Sequence, residues 1–378
     1  TERASTLSTI TTTAEYRMTW REKHHITPLL GHEYIYGYTK TLFVSGTRMS
    51  DDRLLLLDNA KTFRGSSSWY ENWYNSFFGR LEYDYDSRYF VDASLRNDAS
   101  SRFGRDNRNA IFWSVGGMWK AKHERVLQTV RWLDRLDVKF SIGTSGNSSY
   151  PDLDWKENYL HQSLVQTFTP YKGNQTFTIG TAGNPDLTWE KQTKYTFSVD
   201  SRLFNDRLSA NVEFYRRITT DMLMDVPVPD TTSFETIKKN VGKLQNQGIN
   251  IALSGDVYRN KERKIAVTPY INFGYNQDKV LELFQGRKSW FLPDRNIGYI
   301  EGESVKFFMP IFKGINPENG DAQWYKPLAD NSVTNKDPND VYNDFTDSAV
   351  QNTGVNLRAP YNGGFGLSAN YKTLSLQV

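Results

Sequence analysis

The 378-residue chain contains no cysteine. That excludes a disulfide framework and any thiolate-ligated zinc. No apolar run approaches the roughly 18 residues that a membrane-crossing helix needs. No charge of one sign dominates either. The 46 Lys and Arg are matched by 43 Asp and Glu, mixed along the chain, so no basic patch points to nucleic acid. A phosphate loop and a dinucleotide fingerprint are both missing, and with them any sign of a cofactor. Mean hydropathy is negative. This does not settle solubility, because a membrane β-strand offers only alternate residues to lipid and long polar loops dilute the average. What the chain has in quantity is aromatics: 22 Tyr, 22 Phe and 10 Trp. They fit the girdles at the two faces of a membrane, although an aromatic-rich soluble β-protein would share the excess.

The stretch from Tyr89 to Gly104 is the most informative. Tyr89, Val91, Ala93 and Leu95 alternate with Phe90, Asp92, Ser94 and Arg96. Period two over that length is a half-buried strand, since successive side chains leave opposite faces. A polar Arg/Asp/Ser/Gly segment then breaks it. About twelve such strands are expected. They centre on 13–20, 31–44, 77–85, 89–96, 113–119, 136–142, 195–203, 208–215, 249–257, 267–273, 365–369 and 374–378. Asp86-Ser87, Asn205-Asp206 and Lys372-Thr373 read as tight turns. Long polar connections are expected at 45–73, 144–190, 216–247 and 276–361.

Short turns and long loops thus alternate, which predicts an all-β fold: a transmembrane antiparallel barrel with short periplasmic turns and long extracellular loops. Asp92, Arg96, Asp200, Arg202, Glu213 and Asp256 share the polar faces and suit an aqueous or plugged lumen. Trp20, Trp119, Tyr83 and Tyr85 read as interface anchors. Both chain ends fall abruptly in strand-like sequence without a signal peptide. An open sheet edge finds no partners in lipid, so a piece of a longer polypeptide is expected.

A set of short motifs then runs in order down the chain. Arg96-Asn-Asp98-Ala-Ser100-Ser101-Arg-Phe103-Gly104 precedes a strand ending at Trp119. Ser141-Ile-Gly143-Thr-Ser-Gly146-Asn147, Asn184-Pro-Asp-Leu187-Thr-Trp189-Glu190 and Leu203-Phe-Asn-Asp-Arg207-Leu208 follow. Tyr215-x-x-x-Thr219-x-Asp221-x-Leu223, Asn240-x-Gly242-x-x-x-Asn246-x-Gly248 and Gly314-Ile-Asn-Pro317-Glu-Asn-Gly320-Asp321 complete the series. Each is weak alone, but the ordered set resembles SusC-like TonB-dependent outer-membrane transporters. Ala99 departs from it, standing where that family commonly has Gly.

The resemblance implies part of a single TonB-dependent receptor β-barrel domain over residues 1–378, in the C-terminal half of a barrel of about 22 strands. Plug domain and closing strands are expected to lie outside the chain. It also implies a SusD-like surface lipoprotein as lid, contact with the TonB complex through an N-terminal region, an outer-membrane setting in lipid, and import of an oligosaccharide or a peptide. A non-catalytic surface glycan-binding protein or adhesin is the main alternative, and a passive porin a third.

No catalytic constellation is apparent, so an enzyme is not expected. His24, His25 and His32 lie close in sequence but read as polar turn residues rather than metal ligands. The acidic run Asp337 to Asp344 lacks the Gly and Glu of a calcium loop. Loop aromatics are the best substrate-binding candidates: Trp155 and Tyr159, with Asp152 and Asp154 nearby, and Trp290 and Phe291, followed by Asp294 and Arg295. Aromatic faces stack on sugar rings, and the polar neighbours hydrogen-bond hydroxyls or peptide groups. Packing within a folded loop, or against a lid, is the competing reading.

Overall fold

The computed structural model describes residues 1–378 apart from 50, 52, 54, 55, 150–153, 173, 261, 293–295, 330, 332, 347 and 348, and describes only the backbone of 154, 155, 168–171 and 230. Twelve strands follow one another in a single antiparallel meander. They are β1 (Glu2–Glu15), β2 (His24–Met49), β3 (Ala60–Tyr85), β4 (Tyr89–Ser100), β5 (Asn109–Lys120) and β6 (Leu133–Asn147). The series continues with β7 (Glu190–Leu203), β8 (Leu208–Thr220), β9 (Lys243–Gly255), β10 (Ile265–Glu282), β11 (Tyr361–Tyr371) and β12 (Leu374–Gln377). Two short strands, Met18–Trp20 and Tyr258–Asn260, fold back onto β2 and β10.

Every wall strand expected from period two is present. Connections at one end are short, at 86–88, 204–207 and 372–373, with a single helical turn at Arg125–Gln128 in another. At the other end they are long, at 148–189, 221–242 and 283–360. Asp86 and Ser87 both adopt positive φ, as the tight turn requires.

The alternation sorts the two faces. Leu81, Val91, Leu95, Ile111, Val115, Phe140, Phe197, Phe214, Ile271 and Phe365 all project from one side and are exposed, Leu95 by 58% and Ile111 by 64%. A soluble monomer rarely exposes more than about 600 Å² of contiguous apolar surface. A whole sheet face of this kind needs an apolar solvent instead.

Several boundaries differ from expectation. The strand placed at 13–20 is β1, which starts at Glu2 and ends at Glu15, before Met18–Trp20 turns back. The connection expected at 45–73 is mostly ladder: β2 and β3 are 26 residues each, in unbroken register from His24–Tyr85 to Thr47–Thr62. The turn at Asn205-Asp206 is wider, with Phe204, Asn205 and Asp206 all at positive φ between the paired Leu203 and Leu208. The long loops carry strands of their own. Leu164–Tyr171 pairs with Asn174–Thr181, and Leu223–Pro227 with Thr236–Asn240. Among the described residues seven further short strands lie between β10 and β11.

The extra length of β1, β2 and β3 has one cause. Apolar alternation exists only where one face meets lipid. Above that band both faces meet water or protein, so the ladder persists while its sequence signature fades. At about 3.3 Å per residue, 26 residues reach roughly 85 Å. That far exceeds a hydrocarbon core of about 30 Å, even for a strand tilted by about 45°. From Tyr74 onward β3 pairs with β4, but β4 ends there, and among the described residues no wall strand pairs with 60–73 of β3 on that side.

Candidate functional site

The face opposite the apolar one is polar and internally wired. Arg96 on β4 donates to Glu33 of β2 at 2.8 Å and also to Asp98. Lys139 of β6 pairs with Asp200 of β7, which also accepts from Asn211 of β8. Arg135 pairs with the buried Asp137, and Ser94 and Ser114 share a hydrogen bond of 2.7 Å. Most of these ions remain partly accessible. Each pair therefore contributes little to stability, about 0–1 kcal/mol. Their consequence is chemical: this face is wettable, and it would be costly against acyl chains.

The packed apolar core that positions the site lies at the long-loop end, not inside the wall. Phe103, Ala110, Phe112, Leu160, Leu187 and Trp189 form one buried cluster. Trp189 stacks obliquely on Phe103 at 5.4 Å and meets Phe112 edge-on at 5.6 Å, and its indole donates to the Arg108 carbonyl at 2.8 Å. Gly104 is a close approach, since a Cβ there would sit 2.6 Å from the Pro185 carbonyl oxygen. Gly146 is another, with the Phe112 ring 2.1 Å from the Cβ position.

Two asparagines tie the loops together. Asn184 donates to the Lys238 carbonyl at 2.8 Å. Asn240 accepts from the Thr188 amide at 2.8 Å and donates to the carbonyls of Thr188 and Asp221 at 2.7 and 3.0 Å. Several of the short motifs of the sequence thus meet in space, in a clamp joining 101–108, 148–189 and 221–242.

Around this clamp sits a charged lock. Arg102 pairs with Glu157 at 2.7 Å, both side chains largely buried, and donates to Asn158 at 3.1 Å and to the Ser148 carbonyl at 3.3 Å. Asn158 also accepts from Asn72 of the tall hairpin at 3.1 Å. The Tyr159 hydroxyl accepts from the Glu71 amide at 3.3 Å, so this candidate aromatic bridges its loop to β3. His161 Nδ1 lies 3.1 Å from the Arg102 carbonyl. Burial holds its pKa below the ordinary imidazole value, outweighing that hydrogen bond.

Trp155, the partner aromatic, has its backbone in the helical turn Asp154–Tyr159, while its side chain, that of Asp154 and all of Asp152 lie outside the described residues. Asp294 and Arg295 also lie outside them.

Trp290 and Phe291 belong to the module between β10 and β11. Trp290 packs against a second buried cluster, Val280, Leu283 and Val305, edge-on to Phe284 at 5.0 Å, with Arg287 over its ring at 5.2 Å. Its buried indole nitrogen has no acceptor among the described residues. Phe291 stacks on Phe308 at 5.4 Å. Among the described residues no group of His, Asp and Glu is arranged to hold a metal ion. Composition drew attention to Trp155 and Trp290 but missed Arg102, Glu157, Asn158 and Asn240. Asn240 is a marked position of its motif, which was the available signal, whereas Arg102 falls on an unspecified position of another.

Comparison with known proteins places this geometry. The family described as TonB dependent receptor-like, beta-barrel matches residues 2–378. Among curated relatives, TonB-dependent receptor P39 of Formosa agariphila is 28% identical over 71% of the chain, and TonB-dependent receptor SusC of Bacteroides thetaiotaomicron is 29% identical over 61%. The chain spans about a quarter of their lengths, 25% and 23%. A solved structure of the RagAB peptide transporter superposes with a TM-score of 0.84 at 36% identity, covering 99% of this chain and 40% of that one.

Proposed function

Because the chain belongs to the TonB dependent receptor-like β-barrel family, we propose that it forms part of the wall and extracellular rim of an energised importer of peptides or oligosaccharides. The wall is that of an outer-membrane β-barrel of SusC-like type. Its named relatives are receptors and transporters, not enzymes. In this reading residues 1–378 are part of a single barrel domain. The occluding plug and the contact with the TonB complex fall to sequence other than these residues. A SusD-like surface lipoprotein closes the extracellular mouth. Peptide is the favoured cargo, and the observation that carries it is the 36% identity over 99% of the chain to the RagAB peptide transporter.

The chemistry suits cargo passage without bond making. A charged, hydrogen-bonded lumen face offers exchangeable water-like partners, and the clamped loops hold a rim of fixed shape. Substrate contact is assigned to Trp155 and Tyr159 on one loop and to Trp290, Phe291, Asp294 and Arg295 on another. Tyr159 presents a hydroxyl at the rim. The rings of Trp290 and Phe291 also stack within their module, which fixes the face they offer to cargo.

The test is ligand recovery. The intact receptor, purified with its lipoprotein partner from native membranes, is analysed by mass spectrometry, and uptake of the recovered compounds is measured in cells with and without TonB. Oligopeptides whose uptake requires TonB are expected. Bound oligosaccharide would move the assignment to glycans, and TonB-independent uptake would defeat energised import.

A further inference from the structure

The upper part of β3 is an edge strand. Register with β2 is unbroken from His24–Tyr85 to Thr47–Thr62, so the backbone direction of each residue follows from parity. On the side away from β2 the Trp73 carbonyl accepts from the Ser101 amide and the Trp73 amide donates to the Ser101 hydroxyl, and the Glu71 amide points the same way, to Tyr159. The free N–H and C=O groups of Trp69, Ser67, Gly65 and Phe63 must therefore also point away from β2. No described residue pairs with them, because β4 joins β3 only from Tyr74.

Natural sheets blunt such edges with Pro, bulges or short strands. Here the segment is long, regular and free of Pro, and Gly65-Ser66-Ser67-Ser68 gives an incoming strand close access to its backbone. Charge selects the visitor. Lys40 and Arg48 on β2, and Lys61 and Arg64 on β3, are exposed and unpaired among the described residues. No acidic residue occurs between Lys40 and Met49 or between Lys61 and Tyr70.

We propose that this edge is a β-augmentation site for an extended acidic segment of the protein partner on the extracellular face. The inference rests on the two-component reading given above. A second copy fits poorly, since two barrels upright in one membrane cannot set the same edge antiparallel without inverting one, and four cations would meet four. Cargo fits poorly too, because the free groups point along the wall and not across the lumen.

The experiment is residue-resolved hydrogen exchange on the full-length receptor, alone and with its purified lipoprotein partner. The expected result is that the amides of Phe63, Gly65, Ser67 and Trp69 slow by about tenfold or more in the complex, while the even-numbered amides already bonded to β2 do not change. Ser67→Pro removes only an outward N–H, so the hairpin stays protected while affinity for the partner falls about tenfold or more. Lys61→Glu with Arg64→Glu lowers it likewise.

A complex that forms with these four amides unprotected and with Ser67→Pro silent overturns the inference but leaves the import reading standing. Protection produced by added oligopeptide alone, or by lipopolysaccharide bilayers alone, overturns it in favour of cargo or lipid. Failure of any complex to form defeats both this inference and the two-component reading.

Discussion

Trp189 ties the rim together, since it touches Phe103 and Phe112 and donates to the Arg108 carbonyl. Trp189→Ala is expected to destabilise the loop clamp by about 3–5 kcal/mol. Limited proteolysis should then cut within 148–189, while the wall keeps its strand content by circular dichroism. Arg102→Ala removes the guanidinium that pairs with the largely buried Glu157, a change of the kind that costs about 3–5 kcal/mol. Its proteolytic pattern should match that of Trp189→Ala, and an unchanged cleavage rate would remove the lock from the description. His161 adds a pH dependence. Its folded pKa lies below the ordinary 6.5 because of burial, so the unfolded loop binds the proton more tightly. The stability it contributes is present above that ordinary value and is lost as pH falls through the folded value. Cleavage within 148–189 should therefore accelerate on acidification below about pH 6.5, and His161→Gln should flatten the profile. None of these contacts is visible in composition. Trp189 and Phe103 were legible only as members of ordered motifs, whose spacing says that they matter but not that they meet, and Arg102 fell on an unspecified position between marked ones.

Secondary structure was legible wherever one face meets lipid. Strands β4 to β8 announce themselves through alternation such as Val91, Ala93, Leu95 against Asp92, Ser94, Arg96. The upper halves of β2 and β3 do not, because Lys61 to Trp73 meets water or protein on both faces and Ser, Gly and Arg are tolerated throughout. Turn chemistry was legible in kind at Asp86-Ser87 but not in extent at Phe204, where an aromatic residue adopts positive φ. Packing between elements also fixes residues that sequence marks only as glycine. The position of a Cβ at Gly146 lies 2.1 Å from the Phe112 ring. Gly146→Ala is expected to cost about 1–3 kcal/mol through overpacking. The double variant with Phe112→Leu should recover part of that loss, and additive losses in thermal unfolding would mean that the two positions are uncoupled.

At the scale of the whole molecule, the sheet has its apolar side chains on the outside and its ion pairs on the inside, the reverse of a water-soluble β-protein. Phe365 and Leu95 are 88% and 58% exposed, whereas Arg96 and Asp200 are satisfied within the polar face. This inversion was fully legible, since it follows from period two and the distribution of charge. The folds of the long loops were not, because they depend on contacts far apart in sequence. The most direct test uses the absence of native cysteine in the chain. Single cysteines at Leu95 and Ser94 in the intact receptor, spin-labelled and reconstituted in a bilayer, should report opposite environments. Dissolved oxygen should relax the label at position 95, and a water-soluble nickel chelate the one at position 94. Equal access of both reagents to both sites would contradict a lipid-facing apolar wall.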